Sequence, residues 1–463
     1  MAVASKCGLT LILTEDGNIR AFGDNSYGCL GLGHNMRIVG AVLLDHQVLF
    51  GGHTAVRVAA GPFCAGCVTS DGSFWNWGNN SRHMLGVGHT APTQGQSVFR
   101  RPRKLCQSMH GNSPVVMVAF GNTSTNILTA NGDIWTFVGN EPVPQMMNRA
   151  HFDGAAIGMI ASGQSHVLAL SKTGGHLWSW GGNNSLQTGL DTDVELVEEP
   201  TAIQATFDGG EVGFISCGYD FTMAVTTDGV LWACGSNESG ECGALEWLTS
   251  GVFQRIGGAE YFGPGGVHAV SCGDAHTLIL AKNHSVWSCG WNAFAELGNP
   301  MPSGRMLRRG QPRLVHIEFP DDPEVHDDNY VVLVAAGSHM SFVVTSGGLV
   351  FLFGMKQLWE QQQNWPHQLA DWVLGNAGTT SDKCRAGRWH VSNRDRTIAF
   401  VLGVHRTPAI EMNHTTAITQ QAVPSAMTRL PQEILRHLFE NMRLVPPETM
   451  GINLPRMTGA QSP

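Results

Sequence analysis

Short apolar runs separated by glycine-rich turns recur along most of this chain. Residues 271–298, SCGDAHTLILAKNHSVWSCGWNAFAELG, show the pattern in its fullest form. The runs TLILA and VWSC have the alternation of paired strands, and the few turn residues between them predict a hairpin. The glycines at 273, 290 and 298 mark positions where a side chain would obstruct a turn or a close backbone approach.

Seven copies of this hairpin align on the glycine that ends the second apolar run. These glycines are Gly23, Gly78, Gly139, Gly181, Gly235, Gly290 and Gly354. A second marker lies 17 or 18 residues upstream of each, at Lys6, Gly61, Gly121, Gly163, Gly218, Gly273 and Gly337. Five copies carry an asparagine two residues downstream, at Asn25, Asn80, Asn183, Asn237 and Asn292, and a glycine eight residues downstream, at Gly31, Gly86, Gly189, Gly243 and Gly298.

Each marker predicts a local structure. We expect the upstream glycine to permit a tight turn into the first strand of the hairpin. The asparagine should bond to backbone two residues on, in an Asx-type turn, and the downstream glycine should adopt a positive φ. A repeat of about four short strands cannot bury both faces of its own sheet, which favours a radial arrangement of the sheets. The repeats therefore predict an all-β, seven-bladed β-propeller over residues 1–410.

Two segments depart from the repeat. Residues 384–403 look like a compressed eighth copy, and we expect them to close the ring, since closure usually takes strands from both ends of a chain. Residues 355–380, rich in Trp and Gln, replace the markers that should follow Gly354. They are either a cap packed on the propeller or a partner site. If the segment is a partner site, the candidate anchors are Trp359, Trp365 and Trp372.

Residues 411–463 form a short C-terminal tail outside the repeat. The sequence RLPQEILRHLFENMRLVPP predicts an amphipathic helix near 430–442, because Pro431 suits a first helical position and apolar residues form one stripe. Leu435 and Phe439 of that stripe are further candidate anchors. LPQEILRHLF resembles the opening of an F-box, a module that docks substrate adaptors onto a cullin ubiquitin ligase. A helix docked on the propeller is the alternative.

The repeat motif resembles that of the regulator of chromosome condensation family over residues 1 to about 403. The shared elements are G-x-x-H, an apolar strand, a D-G turn, a strand ending in W-G, and then N and L-G. Besides residues 271–298, the stretches ASGQSHVLALSKTGGHLWSWGGNN and DNSYGCLGLGH agree with it. The resemblance implies a propeller with no chemical active site, cofactor or metal, whose G-x-x-H loop face binds a small GTPase of the Ran type and promotes nucleotide exchange.

That exchange would work by displacement. Polar and acidic loop residues would compete for the groups that hold the phosphates and Mg²⁺ of the GTPase. The positions that match this face are Asn122, Gln164, Asp220, Asp274, Ser338 and Arg388. Asp220 and Asp274 are the leading candidates for GTPase binding, because a carboxylate there could contact lysines of the GTPase. Exchange-active relatives also carry a wedge, and NNSRHMLGVGH after Gly78 is the nearest stretch in position.

Histidine and cysteine recur at repeat positions. His166, His276 and His390 share one slot, three residues past the upstream marker, which other copies fill with apolar or small residues. We therefore expect buried imidazoles bonded to the backbone of a neighbouring blade rather than metal ligands. Cys64 and Cys67 form a single C-x-x-C within a predicted strand, with no second pair at ligand spacing, so we interpret them as packing residues.

Composition narrows the remaining functions. The chain has 463 residues, 57 of them glycine, with 42% apolar and 14% charged residues and a net charge of −9. The acidic balance does not attract nucleic acid or acidic membranes, and no run approaches the ~20 apolar residues of a membrane span. Eleven cysteines and no export signal predict an intracellular protein, in the nucleus or cytoplasm with the nucleus preferred.

Three functions stay open at this stage. The first is a propeller that binds a small GTPase, with or without exchange activity. The second is a non-catalytic scaffold or ubiquitin-ligase substrate adaptor that uses the tail helix. The third and weakest is a chromatin binder using the basic run Arg100–Lys104, which we place in the connector between the second and third hairpins. A solvated loop is the alternative for that run.

Overall fold

The computed structural model describes residues 2–36, 41–80, 84–86, 98–138, 143–244, 249–294, 296–298, 311–317, 330–346, 349–354 and 387–390. Within these ranges, strands β1 to β28 form seven antiparallel sheets of four strands each. Each sheet takes four strands that are consecutive along the chain. The predicted seven-bladed propeller is confirmed.

The first three blades cover the N-terminal part of the chain. Blade 1 consists of β1 (Ala2–Lys6), β2 (Leu9–Leu13), β3 (Ile19–Gly23) and β4 (Val42–Leu44). Blade 2 consists of β5 (Ala55–Ala60), β6 (Cys64–Thr69), β7 (Phe74–Asn79) and β8 (Val98–Lys104). Blade 3 consists of β9 (Val115–Phe120), β10 (Ser124–Thr129), β11 (Ile134–Val138) and β12 (Gln145–Met146).

Four further blades complete the ring. Blade 4 has β13 (Ile157–Ser162), β14 (His166–Ser171), β15 (Leu177–Gly182) and β16 (Leu196–Ala202). Blade 5 has β17 (Val212–Cys217), β18 (Phe221–Thr226), β19 (Leu231–Gly235) and β20 (Ser250–Gly257). Blade 6 has β21 (Val267–Cys272), β22 (His276–Ala281), β23 (Val286–Gly290) and β24 (Gln311–Ile317). Blade 7 has β25 (Val331–Ala336), β26 (Met340–Thr345), β27 (Leu349–Gly354) and β28 (Gly387–His390).

Helical structure in the described ranges is limited to short segments between blades or strands. They are α1 (His46–Leu49), α2 (Ala259–Phe262) and the 3-10 segments Gln107–His110, Arg149–Phe152 and Phe207–Gly209. None of the helices in these ranges is long and apolar enough to cross a membrane. The predicted tail 411–463 with its helix near 430–442, and the anchors Trp359, Trp365, Trp372, Leu435 and Phe439, lie outside the described residues and stay predictions.

The core lies between adjacent blades. Every residue of the second strands β2, β6, β14, β18, β22 and β26 is buried, because a neighbouring blade covers each face. The outer strands β8 and β16 are largely exposed. Polar contacts join the blades as well, since Trp77 Nε1 of blade 2 donates to the carbonyl oxygen of Cys29 in blade 1 at 2.6 Å. The packing favours a ring because a single sheet would leave both faces in water.

The glycine markers differ in how they act. Gly290, which ends the third strand of its blade, has φ +101°, and a Cβ there would lie 2.5 Å from the carbonyl oxygen of Ala275. The glycines eight residues downstream all have positive φ, as predicted. The upstream marker Gly273 has no positive φ, and it lies in the turn from the innermost strand β21 into β22, the first strand of the predicted hairpin, as expected. A Cβ at Gly273 would collide with the carbonyl oxygen of Gly337 in the next blade, so this marker permits close contact between blades.

The asparagine marker bonds to a more distant residue than predicted. Asn183 Oδ1 accepts from the backbone N–H of Thr188, five residues on, at 3.1 Å. Its Nδ2 donates to the carbonyl oxygens of Thr192 and Val194, at 3.0 Å each. The equivalent five-residue bond is made by Asn25, Asn80, Asn237 and Asn292. The prediction of an Asx-type turn was wrong, because the side chain closes a wider loop in which two chain segments meet.

The ring closes without a shared blade. Residues 387–390 form β28, the outer strand of blade 7, and blade 1 is built from residues 2–44 alone. The described part of the predicted eighth copy is therefore the fourth strand of the seventh blade, not a blade of its own. The two ends of the ring meet side by side, with Val3 and Ile12 of blade 1 packed against Leu333 and Phe342 of blade 7.

Candidate functional site

One face of the propeller is formed by the loops that join the first and second strands of the blades. We call residues 7–8, 61–63, 121–123, 163–165, 218–220, 273–275 and 337–339 the loop ring. Backbone hydrogen bonds link successive loops: the N–H of Asn122 donates to Gln164 O at 2.8 Å, and the N–H of Gln164 donates to Tyr219 O at 2.9 Å. The N–H of Tyr219 donates to Asp274 O at 3.2 Å. These bonds fix neighbouring loops relative to one another.

The structure brings five of the six predicted face residues into the loop ring. They are Asn122, Gln164, Asp220, Asp274 and Ser338. Ser338 also closes the ring, because its Oγ accepts a hydrogen bond from the N–H of Cys7 at 2.6 Å. Arg388 lies elsewhere, in the outer strand β28 opposite Phe351. Its predicted place followed from the mistaken eighth copy, so that placement is corrected.

The two leading carboxylates have different environments. Asp274 Oδ1 lies 2.8 Å from Lys6 Nζ, and the two side chains are 18% and 15% exposed. Burial raises the pKa of Asp274, but Lys6 and hydrogen bonds outweigh it, so the pKa lies below its usual value. For Asp220, burial is the larger effect and raises the pKa in spite of Lys6. Asp220 Oδ1 accepts a hydrogen bond from Gln187 Nε2 at 3.2 Å, and no ion pair among the described residues includes it.

Two buried glutamates beside the loop ring were not predicted. Glu241 accepts hydrogen bonds from Ser236 Oγ and from the N–H of Ser239, at 2.7 Å each, and burial raises its pKa. Glu296 is 0% exposed, and its Oε1 lies 3.6 Å from Nδ1 of His339. The contact with Glu296 raises the pKa of His339. Both glutamates stand six residues after an aligned glycine, a spacing that could have revealed them.

Exposed aromatic rings share this face, and sequence reasoning missed them as well. Tyr27, Phe63 and Tyr219 are 37%, 43% and 39% exposed. The rings of Tyr27 and Phe63 meet edge to face with centroids 5.1 Å apart. Gln164 Nε2 donates to the hydroxyl oxygen of Tyr219. Exposed aromatic side chains are enriched at protein–protein interfaces, so the mixture of rings and carboxylates makes the loop ring a candidate binding face.

The recurring histidines hold adjacent blades together. His166 Nε2 lies 2.8 Å from Thr222 Oγ1 of the next blade, and His276 Nε2 lies 2.9 Å from Ser341 Oγ. Burial lowers the pKa of His166 to about 3 and that of His276 to about 4, so both imidazoles are neutral. The partners are side-chain hydroxyls, not the predicted backbone groups. His390 belongs to β28, in the outer strand, and does not occupy the same slot.

The cysteines behave as buried thiols. Cys64 and Cys67 are both 1% exposed, and burial raises the pKa of each well above its usual range. They lie in β6 of the second blade, where residues three apart point to opposite faces of a sheet. In the described part of the chain, no group of three or more His, Cys, Asp or Glu is placed to hold a metal ion.

The basic run is part of a sheet. Arg100–Lys104 belongs to β8, the outer strand of blade 2, and not to a connector as predicted. The Arg103 guanidinium lies 4.6 Å from the ring centroid of Phe99, and Lys104 Nζ lies 3.3 Å from Asp71 Oδ2. All four basic residues of the run, Arg100, Arg101, Arg103 and Lys104, are exposed. The run forms a basic edge on one blade, apart from the loop ring.

The fold and the loop ring define a β-propeller whose candidate site is a surface of loops rather than a chemical centre. Comparison with known families shows which repeat the chain resembles. The model of the regulator of chromosome condensation (RCC1) repeat matches residues 71–128 and 174–225, and a second model of that repeat matches 214–241 and 267–295. RCC1 repeats thus match these segments of the propeller, and the resemblance seen in the motif is confirmed.

Individual relatives agree with this assignment. The chain is 27% identical over 320 residues to the ultraviolet-B receptor UVR8 of Arabidopsis thaliana, covering 65% of this chain and 66% of the receptor. It is 29% identical over 267 residues to the E3 ubiquitin-protein ligase HERC2 of Homo sapiens, covering 54% of this chain and 5% of the ligase. The chain therefore spans 66% or less of the length of these curated relatives.

Solved structures share the fold. The chain superposes with TM-score 0.64 on yeast RCC1 (Prp20) from its crystal structure with Kap60, at 19% identity, covering 84% of this chain and 86% of Prp20. A second crystal structure, of Prp20p from Saccharomyces cerevisiae, was reported with its binding properties to Gsp1p and histones. It gives TM-score 0.62 at 19% identity, covering 83% of this chain and 88% of Prp20p. At this identity the likeness shows the fold alone.

Proposed function

We propose that this protein binds a small GTPase of the Ran type through its loop ring and acts as a guanine nucleotide exchange factor. The observation that carries the proposal is Asp220. Its carboxylate sits beside exposed Tyr219, is held by Gln187 and forms no ion pair within the described residues. A half-buried carboxylate that forms no ion pair with the described residues can pair with a lysine of a partner.

The relatives support this partner class. Prp20p, which has the same fold, is described by its binding to Gsp1p, a GTPase of the Ran type. In the mechanism that the family resemblance implies, the propeller weakens nucleotide binding by competing for the groups that hold the phosphates. Backbone bonds between successive loops suit that task, because a fixed surface can distort a partner without being distorted itself. Asp274 is less available than Asp220, since Lys6 already occupies its Oδ1.

Nucleotide release tests the proposal directly. Full-length protein added to a Ran-type GTPase loaded with fluorescent GDP should speed release many-fold. Asp220→Asn should reduce that acceleration at least tenfold, which corresponds to about 1.4 kcal/mol for a charged pair at an interface. Glu199→Gln is the matched control, because Glu199 is exposed on the outer strand β16 and should leave release unchanged. No acceleration, together with no binding to the nucleotide-free GTPase, would refute the proposal.

A second candidate function is that of a ubiquitin-ligase substrate adaptor. Two observations favour it: the match to part of the E3 ubiquitin-protein ligase HERC2, and the F-box-like stretch LPQEILRHLF in the tail. Under this function the full chain should retain a Skp-type adaptor in a pull-down, and removal of residues 424–463 should abolish the interaction. Retention by the truncated chain would contradict it.

Two weaker proposals are chromatin binding through the basic edge and an intracellular location of the protein. The basic edge Arg100–Lys104 would contact phosphates, so binding to DNA or nucleosomes should fall steeply as salt rises. Binding that does not depend on salt would exclude this use of the edge. An intracellular location, with the nucleus preferred, is part of the same proposal, and imaging of the full chain in cells checks it.

A further inference from the structure

The innermost strands of all seven blades, β1, β5, β9, β13, β17, β21 and β25, line a central channel of about 190 Å³. Most of its wall is Val, Ala, Met and Phe, and among the described lining residues there is no Asp or Glu. Two cationic side chains belong to the lining, Lys6 and Arg57. Lys6 is already paired with Asp274. Arg57 therefore sets the charge of the channel.

Arg57 occupies a level of the ring that the other blades fill with apolar side chains. It stands four residues before Gly61, the glycine that follows β5. The residues four before the corresponding glycines of blades 3 to 7 are each at most 8% exposed, and they are Met117, Met159, Phe214, Ala269 and Leu333. One blade thus places a guanidinium where its neighbours place core residues. Arg57 is half-buried, and a charge that is partly shielded from water and has no partner is costly, so this arginine needs a physical reason.

No partner for that charge lies among the described residues. Nη1 of Arg57 is shielded from solvent, and no described group accepts a hydrogen bond from it. Burial lowers the pKa of Arg57. A guanidinium nevertheless stays protonated in proteins, so the group cannot escape the cost of burial by losing its proton. No described residue supplies the acceptor, so a molecule bound in the channel can supply it.

We propose that Arg57 binds a small oxyanion, such as inorganic phosphate or a small carboxylate, in the central channel. The planar guanidinium presents paired N–H groups that match two oxygens of one anion. The channel volume of about 190 Å³ is far above the roughly 10–15 Å³ needed for one water, which leaves room for the anion and its remaining waters. This site is independent of the loop ring and of the proposed GTPase binding.

Anion-dependent stability of the full chain tests the site. The melting temperature is measured with rising inorganic phosphate, and separately with acetate, at constant ionic strength held by chloride. We expect a saturable rise for at least one of the two anions. A response to phosphate alone assigns the site to tetrahedral oxyanions, and a response to acetate alone assigns it to carboxylates. No saturable response to either overturns the proposal.

The variant Arg57→Met separates this site from general salt effects. Methionine fills the same level in blades 3 and 4, so we expect the variant to fold and to lose the anion response, with binding at least tenfold weaker. Arg103→Met removes the same charge from an exposed strand and should keep the response. Arg57→Gln gives a second measurement that does not depend on methionine packing. A response that persists in both Arg57 variants also overturns the proposal.

Discussion

Lys6 of the first blade and Asp274 of the sixth form an ion pair, with 2.8 Å between Nζ and Oδ1, across the position of the seventh blade. Both side chains are largely buried, and the backbone oxygen of Asp274 accepts a bond from Tyr219 of the fifth blade. Ser338 of the seventh blade accepts a bond from Cys7, which follows Lys6. The first blade is thus tied to the sixth and seventh blades by polar contacts at the loop ring, and to the seventh also by apolar packing.

Breaking this ion pair should destabilise the ring. Because the pair is neither fully exposed nor fully buried, a double-mutant cycle of Lys6→Met and Asp274→Asn should give a coupling of about 1–3 kcal/mol in the free energy of unfolding at neutral pH. The folded-state pKa of Asp274 is lowered, so this stability is present above the usual pKa of about 4 and is lost as pH falls through the lower folded value. Urea unfolding at several pH values measures it. A coupling that is the same at neutral pH and well below the folded pKa would contradict this account.

The strand-ending glycines should tolerate no side chain. Gly290→Ala places a Cβ 2.5 Å from the carbonyl oxygen of Ala275 at φ +101°, so both strain and a backbone clash oppose folding. We expect a loss of at least about 3 kcal/mol in the free energy of unfolding. Gly154→Ala is the control, because Gly154 has φ +77° with nothing within 4 Å of a Cβ, and strain alone costs about 1–2 kcal/mol. Equal losses in the two variants would show that contact with Ala275 contributes nothing.

The architecture could be predicted because the markers recur at fixed spacings along the chain. A positive φ at Gly290 and the close contact of Gly273 with the next blade both exclude side chains, so most blades repeat these glycines in sequence. Closure could not be predicted in the same way. The sequence of residues 384–403 is compatible with either an extra blade or the outer strand of blade 7, and only pairing with β27 decides between them.

The sequence predicted where the residues of the candidate site lie, but not the environment of their side chains. The glycines located the loops, so Asp220 and Asp274 were found by position. Their different environments depend on Lys6 and Gln187, which come from other blades and have no fixed spacing to either aspartate. Arg57 was missed for the opposite reason. It lies within an ordinary strand, and only the ring of seven inner strands shows that its side chain faces a channel.

The buried asparagines of the repeat should contribute more to the free energy of unfolding than an exposed asparagine does. Asn183→Ala removes both donors to the carbonyl oxygens of Thr192 and Val194, and it leaves the buried N–H of Thr188 without its acceptor. We expect a loss of about 2–4 kcal/mol in the free energy of unfolding. Asn131→Ala, at an exposed turn, should cost less than about 1 kcal/mol. A loss at Asn183 no larger than that at Asn131 would mean that water replaces these bonds without penalty.

Acid should weaken the seams between blades through the buried histidines. The pKa of His276 falls from its usual value of about 6.5 to about 4 in the folded chain, and that of His166 to about 3. Both histidines bind protons more readily in the unfolded chain. The free energy of unfolding is therefore highest above pH ~6.5 and declines as pH falls toward the folded values, by up to roughly 3 kcal/mol for His276.

Urea unfolding between pH 6.5 and 4 measures this decline. Methionine fills the same slot in blade 7 as Met340, so the double variant His166→Met with His276→Met should show a flatter decline. His53→Gln, at an exposed position, should keep the wild-type decline. If the double variant loses stability on acidification as steeply as the wild type, the buried imidazoles are not the groups that take up the protons.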